Sequence, residues 1–105
     1  MTPNLFDAIP ADLSEEQFDL ILNSDSVKIE RIISRGHTSP VSGWYDQDQH
    51  EWVIVLQGEA KIELQDEGEQ HLLPGSHLNI PAHQKHKVTW TKEDTETIWL
   101  AVHYS

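Results

Sequence analysis

From Ser26 onward the sequence alternates between apolar and polar residues with a period of two, and turn signals interrupt it about every 8 to 12 residues. That rhythm is the signature of an antiparallel sandwich or barrel. The stretch SVKIERIIS puts Val27, Ile29 and Ile33 on one side. EWVIVLQ is apolar on both faces and ends at Gly58, as a strand in the middle of a packed structure would. EAKIELQ alternates cleanly, with Ala60, Ile62 and Leu64 inward, and DEGE closes a hairpin to QHLL. SHLNI, KVTW and TIWLAVHY supply three more strands, separated by Pro74-Gly75, PAHQKH and TKEDTE. The pattern predicts an antiparallel all-β fold, and its short strands fit a double-sheet jelly roll better than a lipocalin-like barrel or an immunoglobulin-like sandwich.

Upstream the reading changes. LSEEQFDLILN offers Ser14 as N-cap, Gln17 as capping-box partner and Leu13 with Phe18 as a staple, followed by an apolar stripe of Phe18, Ile21 and Leu22. It predicts a short helix bracing the strands. Residues 1–25 are then an N-terminal extension and 26–105 the barrel, one core being all that 105 residues can bury.

Composition narrows the chemistry. With no cysteine there is no disulfide framework, thiolate metal site or cysteine nucleophile, so any metal must be held by nitrogen and oxygen. A formal charge of −11 repels phosphate backbones and anionic lipid, which argues against nucleic acid and membrane surfaces. No apolar run is long enough for a membrane span and the first residues lack the features of a signal peptide, so the expected location is cytoplasmic. The sequence contains no Gly-rich phosphate loop, G-x-S-x-G elbow or H-E-x-x-H, and the acidic DQDQHE lacks the glycine turn of a calcium loop.

Seven histidines remain, of which His37, His50, His83, His86 and His103 lie near predicted strand ends. Glu51 shares a strand face with Val53 and Val55, which places His50 on the opposite one. On the strand after PAHQKH, His86, Val88 and Trp90 share a face.

The spacing of Glu51, Gly58, Gly75, Pro81 and His86 resembles the small single-domain cupins, whose motifs read roughly G-x5-H-x-H-x3/4-E-x6-G and G-x5-P-x-G-x2-H-x3-N. The resemblance covers about residues 26 to 104 and implies a double-stranded β-helix with the Glu51 face inside. It also implies that Glu51 and His86 meet at the barrel mouth as ligands of a divalent metal (Mn, Fe, Ni or Zn). The chain departs from the pattern at four places. The two histidines of the first motif fall on Tyr45 and Gln47, or on Trp44 and Asp46 with the longer spacer, while the second motif's Gly and Asn are His83 and Trp90. Gln47, His37 and His103 are the candidates to complete the ligand set, and Tyr45, Trp90 and His103 to line a pocket for a small polar or anionic molecule. If the protein is an enzyme, the metal acts as Lewis acid or activates oxygen, with Tyr45 or His103 for proton transfer. The alternatives are a metal-free binding or sensing barrel in which His86 and Glu51 only hydrogen-bond, and a structural subunit. A homodimer is expected in either case, from the apolar excess on EWVIVL and TIWLAV.

Overall fold

A computed structural model describes residues 2–105, and its strands after Ser26 coincide with the period-two runs. They are β1 (Gln17–Asn23), β2 (Val27–Ser34), β3 (His50–Gln57), β4 (Ala60–Leu64), β5 (Gly68–Leu72), β6 (His77–Ile80), β7 (His86–Thr91) and β8 (Thr97–Tyr104). Five of them form one antiparallel sheet in the order β1-β2-β8-β3-β6, and β5-β4-β7 form a second. Every named pairing is antiparallel. The core between the sheets is built from Val53 and Val55 of β3, Ala60, Ile62 and Leu64 of β4, and Leu72, Ile80 and Trp99. Ala60, Ile62 and Leu64 are the inward positions that the alternation predicts, and Val53 and Val55 lie on the face that the resemblance puts inside.

The predicted N-terminal helix is not formed. Its residues make β1, which pairs with β2 from Gln17 opposite Ile33 to Asn23 opposite Lys28, with a bulge near Ile21. No helix occurs among the described residues. A helix of about nine residues is marginal in water, and its narrow stripe would bury little. Phe18, Leu20 and Leu22 also recur at a spacing of two, so the same residues fit a strand. As a strand the segment takes the open edge of β2 and gains the Arg31–Asp19 ion pair at 2.6 Å and a Ser34-to-Glu16 hydrogen bond at 2.7 Å. Tertiary pairing overrides the local signal.

Two motif glycines have distinct causes. Gly58, between β3 and β4, has φ +88°, and a Cβ there would lie 2.6 Å from the Thr97 Cα. Only glycine lets the β3–β4 turn cross the start of β8. Gly75 meets no such crowding, but its φ of +89° is one L-residues rarely adopt.

Along the β4–β7 ladder Lys61 faces Trp90 and Ile62 faces Val88, so Thr89 is an extra residue, a β-bulge. His86 and Val88 face inward, but beyond the bulge the phase inverts. Thr91 is fully buried, and Trp90 points outward, its ring 5.6 Å from the Lys61 ammonium.

Candidate functional site

At the end of the sandwich where β2, β3 and β7 begin and β8 ends, a cavity of about 200 Å³ opens between the sheets. Register fixes who meets there. Glu51 lies directly opposite His103 on β8, and His103 lies opposite Lys28 on β2. His86 enters from the facing sheet.

The imidazole of His86 is held from both sides. Its Nδ1 donates to the Gln84 carbonyl at 2.9 Å, which directs Nε2 toward Glu51 Oε1 at 3.5 Å. Both residues are buried. Burial opposes protonation of this ring, but the Glu51 carboxylate and the Gln84 carbonyl outweigh it and hold the His86 pKa above the ordinary histidine value. A second pair sits beside the first, with His103 Nε2 3.1 Å from Glu30 Oε1. The His103 hydrogen bond is the main reason that Glu30 ionises below the usual carboxylate range. Partial burial works against it, and the charges of Lys28 and His103 add to the lowering.

The loop before β3 supplies the remaining wall. Tyr45 exchanges two backbone hydrogen bonds with His86, at 2.8 and 3.1 Å, and its ring lies 5.5 Å from the imidazole at a 37° tilt. Ser39 is stitched to Val88 in the same way, so the loop runs along β7 as a ragged extra strand. Tyr45 and Gln47 line the cavity. Asp46 points away, to His83 Nδ1 at 2.8 Å, and the Trp44 ring lies 4.3 Å from the Lys87 ammonium. The shorter motif spacer is therefore the one that the backbone follows. His83, standing at the second motif's glycine, keeps a left-handed backbone with φ 64°.

Of the sequence candidates, Glu51, His86, Gln47, Tyr45 and His103 converge on one cavity, whereas two do not. His37 lines a neighbouring cavity, and both its ring nitrogens engage backbone, Nδ1 accepting from Arg35 N–H at 2.9 Å and Nε2 meeting the Ser14 carbonyl at 3.1 Å. Trp90 is carried outside by the Thr89 bulge. His50 turns away from Glu51, as the alternation predicts, and its Nδ1 accepts from the Ala82 N–H. Lys28, Glu30 and Glu16 also line the cavity without having been singled out from the sequence. For Lys28 and Glu30 the signal was the face of β2 opposite Val27, Ile29 and Ile33, which reads as solvent-facing unless the strand is known to be covered on both sides, while Glu16 precedes β1 and carried none.

The donor set is a test of the metal expectation. Among the described residues no group of three or more His, Asp or Glu side chains is arranged to hold an ion. The four strongest donors instead pair off as imidazole with carboxylate, and Gln47 adds only a neutral amide. In this arrangement the residues do not fit a resident metal ion.

The Cupin domain family matches residues 33–103. Among solved structures, a candidate mannose-6-phosphate isomerase from Ralstonia eutropha JMP134 superposes with a TM-score of 0.93 and 43% identity, over 100% of this chain and 98% of that one. A cupin superfamily protein from Desulfitobacterium hafniense DCB-2 gives 0.76 at 24% identity, over 91% and 83%. The polyketide cyclase RemF from Streptomyces resistomycificus gives 0.71 at 18% identity, over 87% and 66%, a likeness of fold alone. No curated protein sequence matches the chain. No helix among the described residues is long and apolar enough to cross a membrane.

Proposed function

The chain belongs to the cupin domain family, and on that premise we propose that its barrel mouth binds a compact polar molecule and moves a proton to or from it. The observation that carries this reading is the placement of two imidazole–carboxylate pairs on one small cavity, His86 with Glu51, both buried, and His103 with the partly buried Glu30. Because Nδ1 of His86 is committed to the Gln84 carbonyl, Nε2 is the atom that takes or gives the proton. Glu51 stabilises the imidazolium so formed, and the second pair offers an acid for the opposite transfer. The 43% identity to a candidate mannose-6-phosphate isomerase supports proton transfer, since exchanging aldose and ketose forms moves a proton between neighbouring carbons. An anionic substituent on the ligand would meet Lys28, which shares the lining with three carboxylates, Glu16, Glu30 and Glu51.

The test is titration with mannose 6-phosphate and a panel of small oxo compounds, followed through the imidazole signals of His86 and His103. A true ligand perturbs both and exchanges the hydrogen next to its carbonyl for solvent deuterium. His86→Gln slows that exchange at least tenfold. If no compound perturbs either imidazole, the reading fails.

A second reading, in which Glu51, His86, His103 and Gln47 hold a divalent ion (Mn, Fe, Ni or Zn), draws on the direct cross-strand pairing of Glu51 with His103. It requires His103 to leave Glu30. Protein purified without an affinity tag would then carry about one ion per chain and lose it in His86→Ala. We also propose a homodimer, supported by the exposure of Phe18, Leu20, Ile21 and Leu22 on edge strand β1. Light scattering distinguishes it from a monomer.

A further inference from the structure

We propose that the cavity's occupant is a cation, a compact amine whose ammonium group sits on the Glu16 carboxylate between the rings of Phe18 and Tyr45. Glu16 directly precedes β1, and the hydroxyl of Ser34, wholly buried on the same face of β2 as Glu30 and Ile32, donates to its Oε2 at 2.7 Å. That bond turns the carboxylate over the inner face of the sheet, and its Oε1 has no hydrogen-bond partner among the described residues. Glu16, Phe18 and Tyr45 each line both the cavity between the sheets and the neighbouring one beside His37, so they stand where the two meet. A carboxylate beside aromatic faces holds an ammonium ion by charge and by cation–π attraction together.

A second carboxylate asks for the same kind of group. Glu51 is 9% exposed, yet its Oε1 meets only His86 Nε2 at 3.5 Å, and its Oε2 has no partner among the described residues. Neither Glu16 nor Glu51 is sealed off, because the Trp99 indole nitrogen is the one unpartnered buried side-chain atom among the described residues that is closed to water. A carboxylate nine-tenths buried on a cavity wall is satisfied by a donor from the occupant. The balance of charge fixes the sign. Glu30 has His103 at 3.1 Å and Lys28 two residues along the same face, and Glu51 has His86, whereas Glu16 has only a neutral hydroxyl. A phosphate or carboxylate on the ligand would find Lys28 alone, already beside Glu30, and the field of a chain with net charge −11 opposes its entry. An amine enters with the field. This inference rests on the cavity reading above and adds the charge class of the ligand to it.

The test titrates the protein with cyclohexylamine, cyclohexanol and cyclohexanecarboxylate, three probes on one ring that are cationic, neutral and anionic at neutral pH, followed by NMR. The amine should bind roughly tenfold tighter than the alcohol, and the carboxylate more weakly than either. The amine should also move the ring signals of Phe18 and Tyr45 but not those of Phe6 and Tyr104. Glu16→Gln removes the charge and keeps an acceptor for Ser34, so it should bring the amine down to the affinity of the alcohol. Glu63→Gln removes an equal charge from a residue that does not line the cavity, and the preference for the amine should survive it. The wild-type ranking decides even if Glu16→Gln fails to fold. If the alcohol or the carboxylate binds as tightly as the amine, or if Glu16→Gln keeps the preference, the inference is overturned. If mannose 6-phosphate perturbs the His86 and His103 imidazoles while cyclohexylamine does not bind, the cavity reading stands and this inference falls. If none of the three probes binds, the inference also falls, and the cavity reading is judged separately on the wider panel.

Discussion

His86 Nε2 lies 3.5 Å from Glu51 Oε1 across the gap between the two sheets, a carboxylate and an imidazole that meet only because β3 and β7 begin at the same end of the sandwich. With its pKa raised, His86 gains protonated form on folding. The stability it contributes is fully present below the ordinary histidine pKa of about 6.5 and is lost as pH rises through the higher folded value. Glu51→Gln removes the charge that maintains this, so the imidazole should titrate at lower pH in the variant. The melting difference between the two proteins should be largest in mild acid and shrink above neutrality. An NMR titration of His86 in both proteins checks the first expectation and a pH series of melting curves the second.

The Thr89 bulge inverts the phase of β7, so that Val88 faces the cavity and Trp90 faces away from it. Val88→Ala removes two methyl groups from the cavity wall, at a cost of about 1 kcal/mol to folding for a half-buried side chain, and should change ligand affinity several-fold. Trp90→Ala removes a far larger side chain but should leave affinity unchanged, losing about 0.5 kcal/mol from its contact with Lys61. Equal effects of the two substitutions on binding would contradict the inverted phase.

Gly58 carries two demands at once, a left-handed backbone and clearance from Thr97. The Thr97 hydroxyl is also engaged with Glu59, accepting from its N–H and donating to its carbonyl, both at 3.2 Å, so it cannot swing aside freely. Gly58→Ala should therefore destabilise the protein by about 3 kcal/mol, more than backbone strain alone would cost. Gly75→Ala, where only φ is at issue, should cost about 1 kcal/mol. Denaturant unfolding of both variants measures the gap.

Much of this was legible in the sequence because alternation encodes which face a strand buries. Alternation alone put Glu51 and His50 on opposite faces, the cupin resemblance said which face was inside, and the turn residues located all seven strands after Ser26. What was not legible depends on a partner strand. β1 reads as a helix until β2 offers it an edge. Trp90 reads as facing the cavity until a bulge, visible only in the pairing with β4, shifts the phase. Glu30 and Lys28 read as solvent-facing because Val27, Ile29 and Ile33 satisfy the alternation on the other side, and the sequence does not say that both faces of β2 are covered. His37 was a plausible ligand by residue type, yet its ring is taken up by the backbone at Arg35 and Ser14.

Arg31 shows what holds the N-terminal segment against the outer face of the large sheet. Its guanidinium is buried and donates to Asp19 Oδ2 at 2.6 and 2.9 Å and to the carbonyls of Leu5 at 3.0 Å and Asp7 at 2.5 Å. Partial burial pushes the Asp19 pKa up, but the hydrogen bonds from Gln17 and Arg31 and the Arg31 charge outweigh it and leave the carboxyl below its ordinary range. A lowered carboxylate contributes stability that is present above the unfolded pKa of about 3.9 and disappears as pH falls through the folded value. Asp19→Asn should accordingly cost about 1.5 kcal/mol at neutral pH, and the deficit should close as the wild type is taken below about pH 4. Arg31→Met leaves Asp19 charged with only the Gln17 amide as partner and also frees the Leu5 and Asp7 carbonyls. It should cost more than Asp19→Asn at neutral pH and speed amide exchange and proteolysis in residues 4–8, while leaving the cavity's ligand affinity unchanged. Melting curves against pH for both variants, with limited proteolysis of Arg31→Met, check these outcomes, and a pH-independent Asp19→Asn deficit would refute the electrostatic account.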